Sequence, residues 1–380
     1  MAIKAYIGVN NVARKIKKGY IGVNGVARKI KKAYIGVDGV ARPCWGGGWP
    51  EYYGVAPNLT GSSSRRLGYI AAAHVGNYAI FSGGNYDSNA GDGVDTVDIY
   101  DSSLVRTSTY LQGLDYGGTY RQQSCSTTSY AIFSGGMSSY NLHYFNSSLT
   151  QNYRDVQLHM TDGNGAAIGN CALFGHRAFN KIYAFNGSLT QQAALSVSSE
   201  FYDSAATTVN NIALFGGGYH WGYDDEGETA YIQNSWVASV NASLTLSYAT
   251  NLSIARSGLT ATTVGNYALF AGGDNDGFSE YNRVDAYDGS LTRTTATALS
   301  EIKTGLSSTS INNEYAMFIG GWNRPTWGSL YSVDIYDASL TRSVPLSTTT
   351  ARRGAAVTTA GNYAIIASSV KSPVEAFVAN

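Results

Sequence analysis

One aromatic-apolar phrase recurs seven times between residues 77 and 369, and it constrains the fold more than any other feature of the chain. Its copies are Asn77-Tyr-Ala-Ile-Phe-Ser-Gly-Gly84, Ser129-Tyr-Ala-Ile-Phe-Ser-Gly-Gly136, Asn170-Cys-Ala-Leu-Phe-Gly175, Asn211-Ile-Ala-Leu-Phe-Gly-Gly-Gly218, Asn266-Tyr-Ala-Leu-Phe-Ala-Gly-Gly273, Glu314-Tyr-Ala-Met-Phe-Ile-Gly-Gly321 and Asn362-Tyr-Ala-Ile-Ile-Ala-Ser-Ser369. The mean interval from Tyr78 to Tyr363 is about 47 residues, the length of a four-stranded propeller blade. With 44 Gly and 29 Tyr against 6 Pro, and only 14% charged residues, the composition suits short strands joined by turns and excludes coiled coils, helical bundles and disorder. No apolar run approaches the roughly 18 residues of a membrane span.

A second phrase follows each glycine pair after a variable interval. Examples are Val97-Asp-Ile-Tyr-Asp-Ser-Ser-Leu104, Val284-Asp-Ala-Tyr-Asp-Gly-Ser-Leu291 and Val333-Asp-Ile-Tyr-Asp-Ala-Ser-Leu340. Its Asp/Asn-x-Ser step predicts a tight turn into a Thr-rich strand. The seventh copy, Val374-Glu-Ala-Phe-Val-Ala-Asn380, has no following strand. Glu51-Tyr-Tyr-Gly-Val-Ala-Pro-Asn-Leu-Thr60 resembles the fourth strands elsewhere and is expected to complete that blade, closing the ring without an open edge. The expectation is therefore an all-β chain with a seven-bladed propeller over residues 51–380.

Residues 1–42 are different. Three near-identical copies of Tyr-Ile-Gly-Val-Asn-Gly-Val-Ala-Arg-Lys recur with a period of 14 and carry ten Lys or Arg against one acid, Asp38. The chain is neutral as a whole, so this +9 segment is offset by an acidic remainder. Asn24-Gly25 and Asp38-Gly39 predict two-residue hairpin turns, with residues 26–37 alternating between them. So few large apolar groups can hardly sustain a core alone, and the segment is expected to assemble with other copies or dock on another protein, with Lys15, Lys17, Lys18, Lys29, Lys31 and Lys32 as attachment residues. Residues 43–50, rich in Gly and Trp, form the linker. Only Tyr6, Tyr20 and Tyr34 are available for base stacking, which disfavours a nucleic-acid partner.

Antiparallel strands sort the propeller's connections onto two faces. The turns between strands one and two and between three and four are short and uniform. The connections after Gly-Gly, and those between blades, share the other face and vary widely, which is where recognition usually sits. Candidate ligand-binding residues there are Tyr86, Tyr219, Trp221, Tyr223, Asp224, Asp274, Asp276, Tyr281, Trp322 and Trp327: aromatic faces stack on sugar rings, and carboxylates bond hydroxyl pairs. The acids of these loops read as solvated charge, and no metal or cofactor is expected. Five scattered His in no HxH or HExxH spacing, and three separated Cys, argue against an enzyme and against a disulfide framework.

The order of apolar run, Gly-Gly, variable loop and Val-Asp-x-Tyr-Asp resembles the kelch repeat, although Arg106, Arg293 and Arg342 stand near the place of its tryptophan. The resemblance implies a kelch propeller; the kelch-type copper oxidases are the enzyme precedent, and their ligand motifs do not match. The amino-terminal repeats resemble segments of tail-associated proteins of bacteriophages that infect Gram-positive bacteria. That implies a virion protein assembled in the bacterial cytoplasm, a tail-fibre or baseplate receptor-binding subunit that joins other virion proteins through residues 1–42, as a homo-oligomer, a trimer by expectation, and recognises a host-surface glycan. A capsid or tail decoration protein and an intracellular kelch scaffold are the alternatives.

Overall fold

The computed structural model describes strands within residues 6–45 and, beyond them, residues 49–61, 68–85, 93–114, 118–136, 139–158, 160–161, 163–176, 180–200, 202–223, 226–275, 279–369 and 371–379. Among these there is no helix. Seven antiparallel sheets follow one another, six of four strands and one, the sixth in order, of five, with first strands Ala71–Val75, Ser124–Ser126, Gly165–Ile168, Ala205–Val209, Thr260–Val264, Ser307–Ile311 and Ala356–Ala360. They are blades 1 to 7 of a β-propeller.

Alternation within the phrase explains why its middle strands read as unbroken apolar runs. In blade 5, Ala268 and Phe270 pack against blade 4, while Leu269 and Ala271 pack against blade 6. Both sides of each sheet are buried against neighbours, so no polar face is left to punctuate the sequence. The core is therefore seven separate clusters, one in each gap between blades, and the cluster joining Ala79, Phe81 and Tyr100 of blade 1 to Ile365, Val374 and Ala376 of blade 7 closes the circle. A fully buried Phe contributes roughly 1.5–3 kcal/mol, and Phe81, Phe133, Phe174, Phe215, Phe270 and Phe318 each occupy one such gap.

Glu51–Ala56 lies antiparallel to Val374–Val378 as the outer strand of blade 7, with Val374 opposite Ala56 and Val378 opposite Glu51. The pairing is shorter than the 51–60 segment expected from sequence. Pro57 has no N–H to offer the ladder, and the chain then crosses to blade 1, where the Thr60 N–H and hydroxyl donate to Asp98 at 2.9 and 2.6 Å.

The Asp/Asn-x-Ser turns share one construction. In blade 5 the Asp288 carboxylate accepts the N–H groups of Ser290 and Thr292 at 2.9 and 3.0 Å, and Leu291 between them has φ +62°. A left-handed leucine is strained; here its side chain packs into the gap between blades 4 and 5.

The amino-terminal repeats form three separate hairpins. Val9 faces Val12, Val23 faces Val26 and Val37 faces Val40, so each turn has two residues. Of the alternating stretch 26–37, Val26–Lys29 pairs back onto Tyr20–Val23 and Ala33–Val37 pairs forward onto Val40–Trp45, while residues 30–32 fall outside the described residues. Lys15 and Lys29 lie on strands opposite Tyr6 and Tyr20; Lys17, Lys18, Lys31 and Lys32 fall outside the described residues.

Candidate functional site

The loop face begins where the glycine pair ends each second strand. In blade 5, Gly272 and Gly273 have φ of +68° and +100°, and a Cβ on either would stand within 2.7 Å of a carbonyl oxygen of a neighbouring connection, that of Lys303 or Ser257. The Gly273 N–H also donates to Lys303 at 2.9 Å. Both backbone freedom and close approach are thus needed, and the pair stitches one blade to the next. The residue after it pairs with the connection leading into its own blade, as Tyr219 does with Tyr202, Asp274 with Ser257 and Trp322 with Thr304. From these rigid roots the variable segments project.

The longest, residues 219–236, is a hairpin rather than an irregular loop: Tyr219–Tyr223 pairs with Thr229–Gln233. Strand alternation puts Tyr219, Trp221, Tyr223 and Tyr231 on one side of it. Tyr202 and Tyr219 stack at 5.1 Å and 14°, Tyr219 meets Tyr231 edge-on at 4.9 Å, and Tyr231 lies 4.3 Å from Trp221. On the other side, His220 Nδ1 bonds Asn234 Oδ1 at 3.0 Å, and Asn234 donates to the Glu200 carbonyl at 2.9 Å. Trp221 remains 48% exposed and Tyr223 76%.

Blade 6 carries a second aromatic group. Trp322–Asn323 pairs with Gly328–Ser329, at the start of a third strand that continues to Asp337. Arg353 lies over the half-buried Trp322 at 5.2 Å, and Arg324 lies over Trp327 at 5.6 Å. Trp327 is 72% exposed with φ +49°. Glu280 of blade 5 accepts the Arg324 N–H at 2.9 Å.

The expected ligand set is therefore divided. Tyr219, Trp221 and Tyr223 share one hairpin, Trp322 and Trp327 belong to another two blades away, and Trp322 is half covered by its arginine. Asp274 is turned to the connection, where its carboxylate accepts from the Ser257 hydroxyl at 3.4 Å. Tyr281 is half-buried, with its N–H on the Gly273 carbonyl at 2.8 Å. Tyr86, Asp224 and Asp276 fall outside the described residues. Tyr202 and Tyr231, members of the blade 4 group, were not among the candidates. The alternation of Tyr231 against Trp221 would have revealed one, but Tyr202 lies before its blade and has no local signal.

The repeated acids are fasteners, not ligands. Asp285 meets Arg256 at 2.9 Å and Asp334 meets Lys303 at 2.8 Å, all four side chains fully buried; Glu375 pairs with buried Arg352 in blade 7. Arg106, Arg293 and Arg342, which stand near the place of the kelch tryptophan, reach Asp98, Asp285 and Asp334, the first two from the start of the fourth strand and Arg342 from the segment before it. The phrase's tyrosines tie each blade to the preceding one: Tyr100, Tyr287 and Tyr336 donate to the carbonyls of Pro57, Thr250 and Thr297. Burial raises the phenols of Tyr287 and Tyr336 above their ordinary range, with the adjacent Asp285 and Asp334 adding to it.

Along the axis the first strands enclose two cavities of about 300 and 310 Å³, lined mainly by Ala, Ser and Thr. His74, at the turn-face end, has its pKa lowered by burial. Cys125 is buried between blades 2 and 3 with its thiol pushed up to about 12 by desolvation, which makes it a poor nucleophile. Among the described residues no group of three His, Cys, Asp or Glu side chains is placed to hold a metal.

These features define a seven-bladed β-propeller consistent with a kelch-like one. No family model and no curated protein matches the chain. A solved structure described as "Structure of YjhT" is similar to it with a TM-score of 0.53 at 11% identity, over 77% of this chain and 99% of that one. At that identity the likeness concerns the fold alone.

Proposed function

We propose that the chain is a bacteriophage virion protein, a tail-fibre or baseplate receptor-binding subunit without catalytic activity. It is made in the host cytoplasm and carried in the particle, where its basic hairpins join other virion proteins or further copies of the chain. Its propeller recognises a glycan of the host surface through the loop face. The supporting observation is where the chain enters the disc. Trp49 packs on Tyr315, the first residue of a second strand, at 5.8 Å, and Glu51 pairs with Val378 near the end of a third. Both positions lie on the face of the uniform turns. The exposed aromatic groups lie on the opposite face, so a protein held by its amino-terminal segment presents them away from the point of attachment.

The test is to induce phage particles from the source strain, identify their proteins by mass spectrometry and measure adsorption with antibody raised against residues 49–380. The chain is expected in the particles, and the antibody is expected to block adsorption. Particles without the chain would overturn the reading.

A further inference from the structure

We infer that the aromatic side of the blade 4 hairpin is a binding platform for an extended, neutral glycan. The inference rests on the glycan-binding reading of the loop face and narrows it to one element and one ligand chemistry.

The first argument is shape. From Tyr219 to Tyr223 the strand advances roughly 13 Å at the usual rise per residue, enough to lie under a short run of sugar units. Trp221, Tyr223 and Tyr231 present ring surface along that length, with Trp221 and Tyr231 4.3 Å apart. Such rings offer an apolar body to the CH face of a pyranose, and tyrosine adds a hydroxyl at its rim.

The second argument is preorganisation. Tyr219 is fixed by two backbone bonds to Tyr202, at 3.0 and 2.9 Å, and by ring stacking; the reverse side is held by the His220–Asn234–Glu200 chain. The Tyr219, Tyr231 and Trp221 rings, packed on one another, have little side-chain freedom left to lose on binding, which matters for a weak ligand. A protein partner is a poorer fit: the hairpin side offers a few half-exposed rings, whereas a stable protein interface needs about 800 Å² from each side.

Charge selects among glycans. Residues 219–236 contain Asp224, Asp225, Glu226 and Glu228 and no Lys or Arg. An anionic polymer such as a polyuronate or a phosphate-linked chain meets repulsion there, and a neutral one does not. The blade 6 group is the natural contrast, since Arg324 and Arg353 lie over its two tryptophans.

Affinity electrophoresis of the full chain tests this, in gels cast with neutral polysaccharides (dextran, soluble starch, hydroxyethylcellulose, galactomannan) and with polygalacturonate as the acidic control. The unaltered protein is expected to be retarded in at least one neutral gel and not by polygalacturonate. Trp221→Ala and Tyr223→Ala are expected to weaken that retention at least tenfold, with thermal unfolding unchanged because both side chains are exposed, while Tyr110→Ala, an exposed ring on the outer strand of blade 1, binds as before. No retention in any neutral gel, or retention by polygalacturonate alone, overturns the neutral-glycan assignment. Retention lost in Trp327→Ala but kept in Trp221→Ala overturns the hairpin assignment. In each of these cases the receptor-binding reading is decided separately, by antibody block of adsorption.

Discussion

Asp285 shows how much of this molecule's cohesion rests on single buried charges. Its carboxylate takes Arg256 from the connection before the blade, Arg293 from the fourth strand, and the N–H and hydroxyl of Ser253. Desolvation lowers the Arg256 pKa, and Asp285 raises it again. Replacing Asp285 by Ala leaves a buried guanidinium with only the Ile254 and Phe270 carbonyls as described partners. Removing one member of a buried pair costs about 3–5 kcal/mol. Arg293 is about a quarter exposed on the same carboxylate, and its removal is expected to cost less, because Asp285 keeps Arg256 and Ser253. Urea unfolding of Asp285→Ala and Arg293→Ala distinguishes these, and equal losses would show that the buried pair is not the main fastener. The Val-Asp-x-Tyr-Asp repeat was visible in the sequence, but the separate work of its residues was not, because their partners lie in the preceding connection. A signal did exist: Ser253 with Arg256, Ser300 with Lys303 and Thr349 with Arg352 keep a three-residue spacing in the segments that lead into blades 5, 6 and 7.

At the scale of elements, the ring depends on a strand drawn from the far end of the chain. Glu51–Ala56 covers the edge of Val374–Val378, and the segment after it reaches across to blade 1 at Asp98. Deleting residues 51–60 therefore exposes a sheet edge and removes a cap in the next blade. The expected outcome is a lower, broader thermal transition by calorimetry and a tendency to aggregate, whereas deleting residues 1–45 leaves the transition in place because Trp49 and the closing strand remain. Equal transitions for both truncations would defeat this account of closure. Elements of this kind were legible because strand pattern and turn chemistry are local. The hairpin at 219–236 was not, since Tyr-His-Trp-Gly-Tyr alternates aromatic with small or polar residues in a stretch otherwise dominated by acids, and sequence alone read it as loop. Its aromatic character is what put it among the candidate residues, but the division of those residues between blades 4 and 6 follows from the ring order of the loops and from Arg353 lying over Trp322.

At the scale of the whole molecule, the unresolved tension is between a basic segment and an acidic disc. Each amino-terminal hairpin is a two-stranded sheet, a unit that is marginal in water without further strands or a packed face. Two kinds of stabilisation are available. Strand and side-chain packing between copies of the chain gives a fixed stoichiometry that salt leaves largely intact, whereas attraction of the +9 segment to acidic surfaces is screened beyond about 8 Å at physiological ionic strength. Light scattering of the full chain and of residues 49–380, each at low and high salt, separates the two. A salt-resistant trimer that becomes a monomer on truncation is the expected result and assigns assembly to the hairpins. Association that dissolves in salt would make the contact electrostatic, and a single-chain mass in every condition would rule out self-assembly. In that last case the hairpins would need a different protein to complete them, and the propeller would be displayed by attachment rather than by oligomerisation.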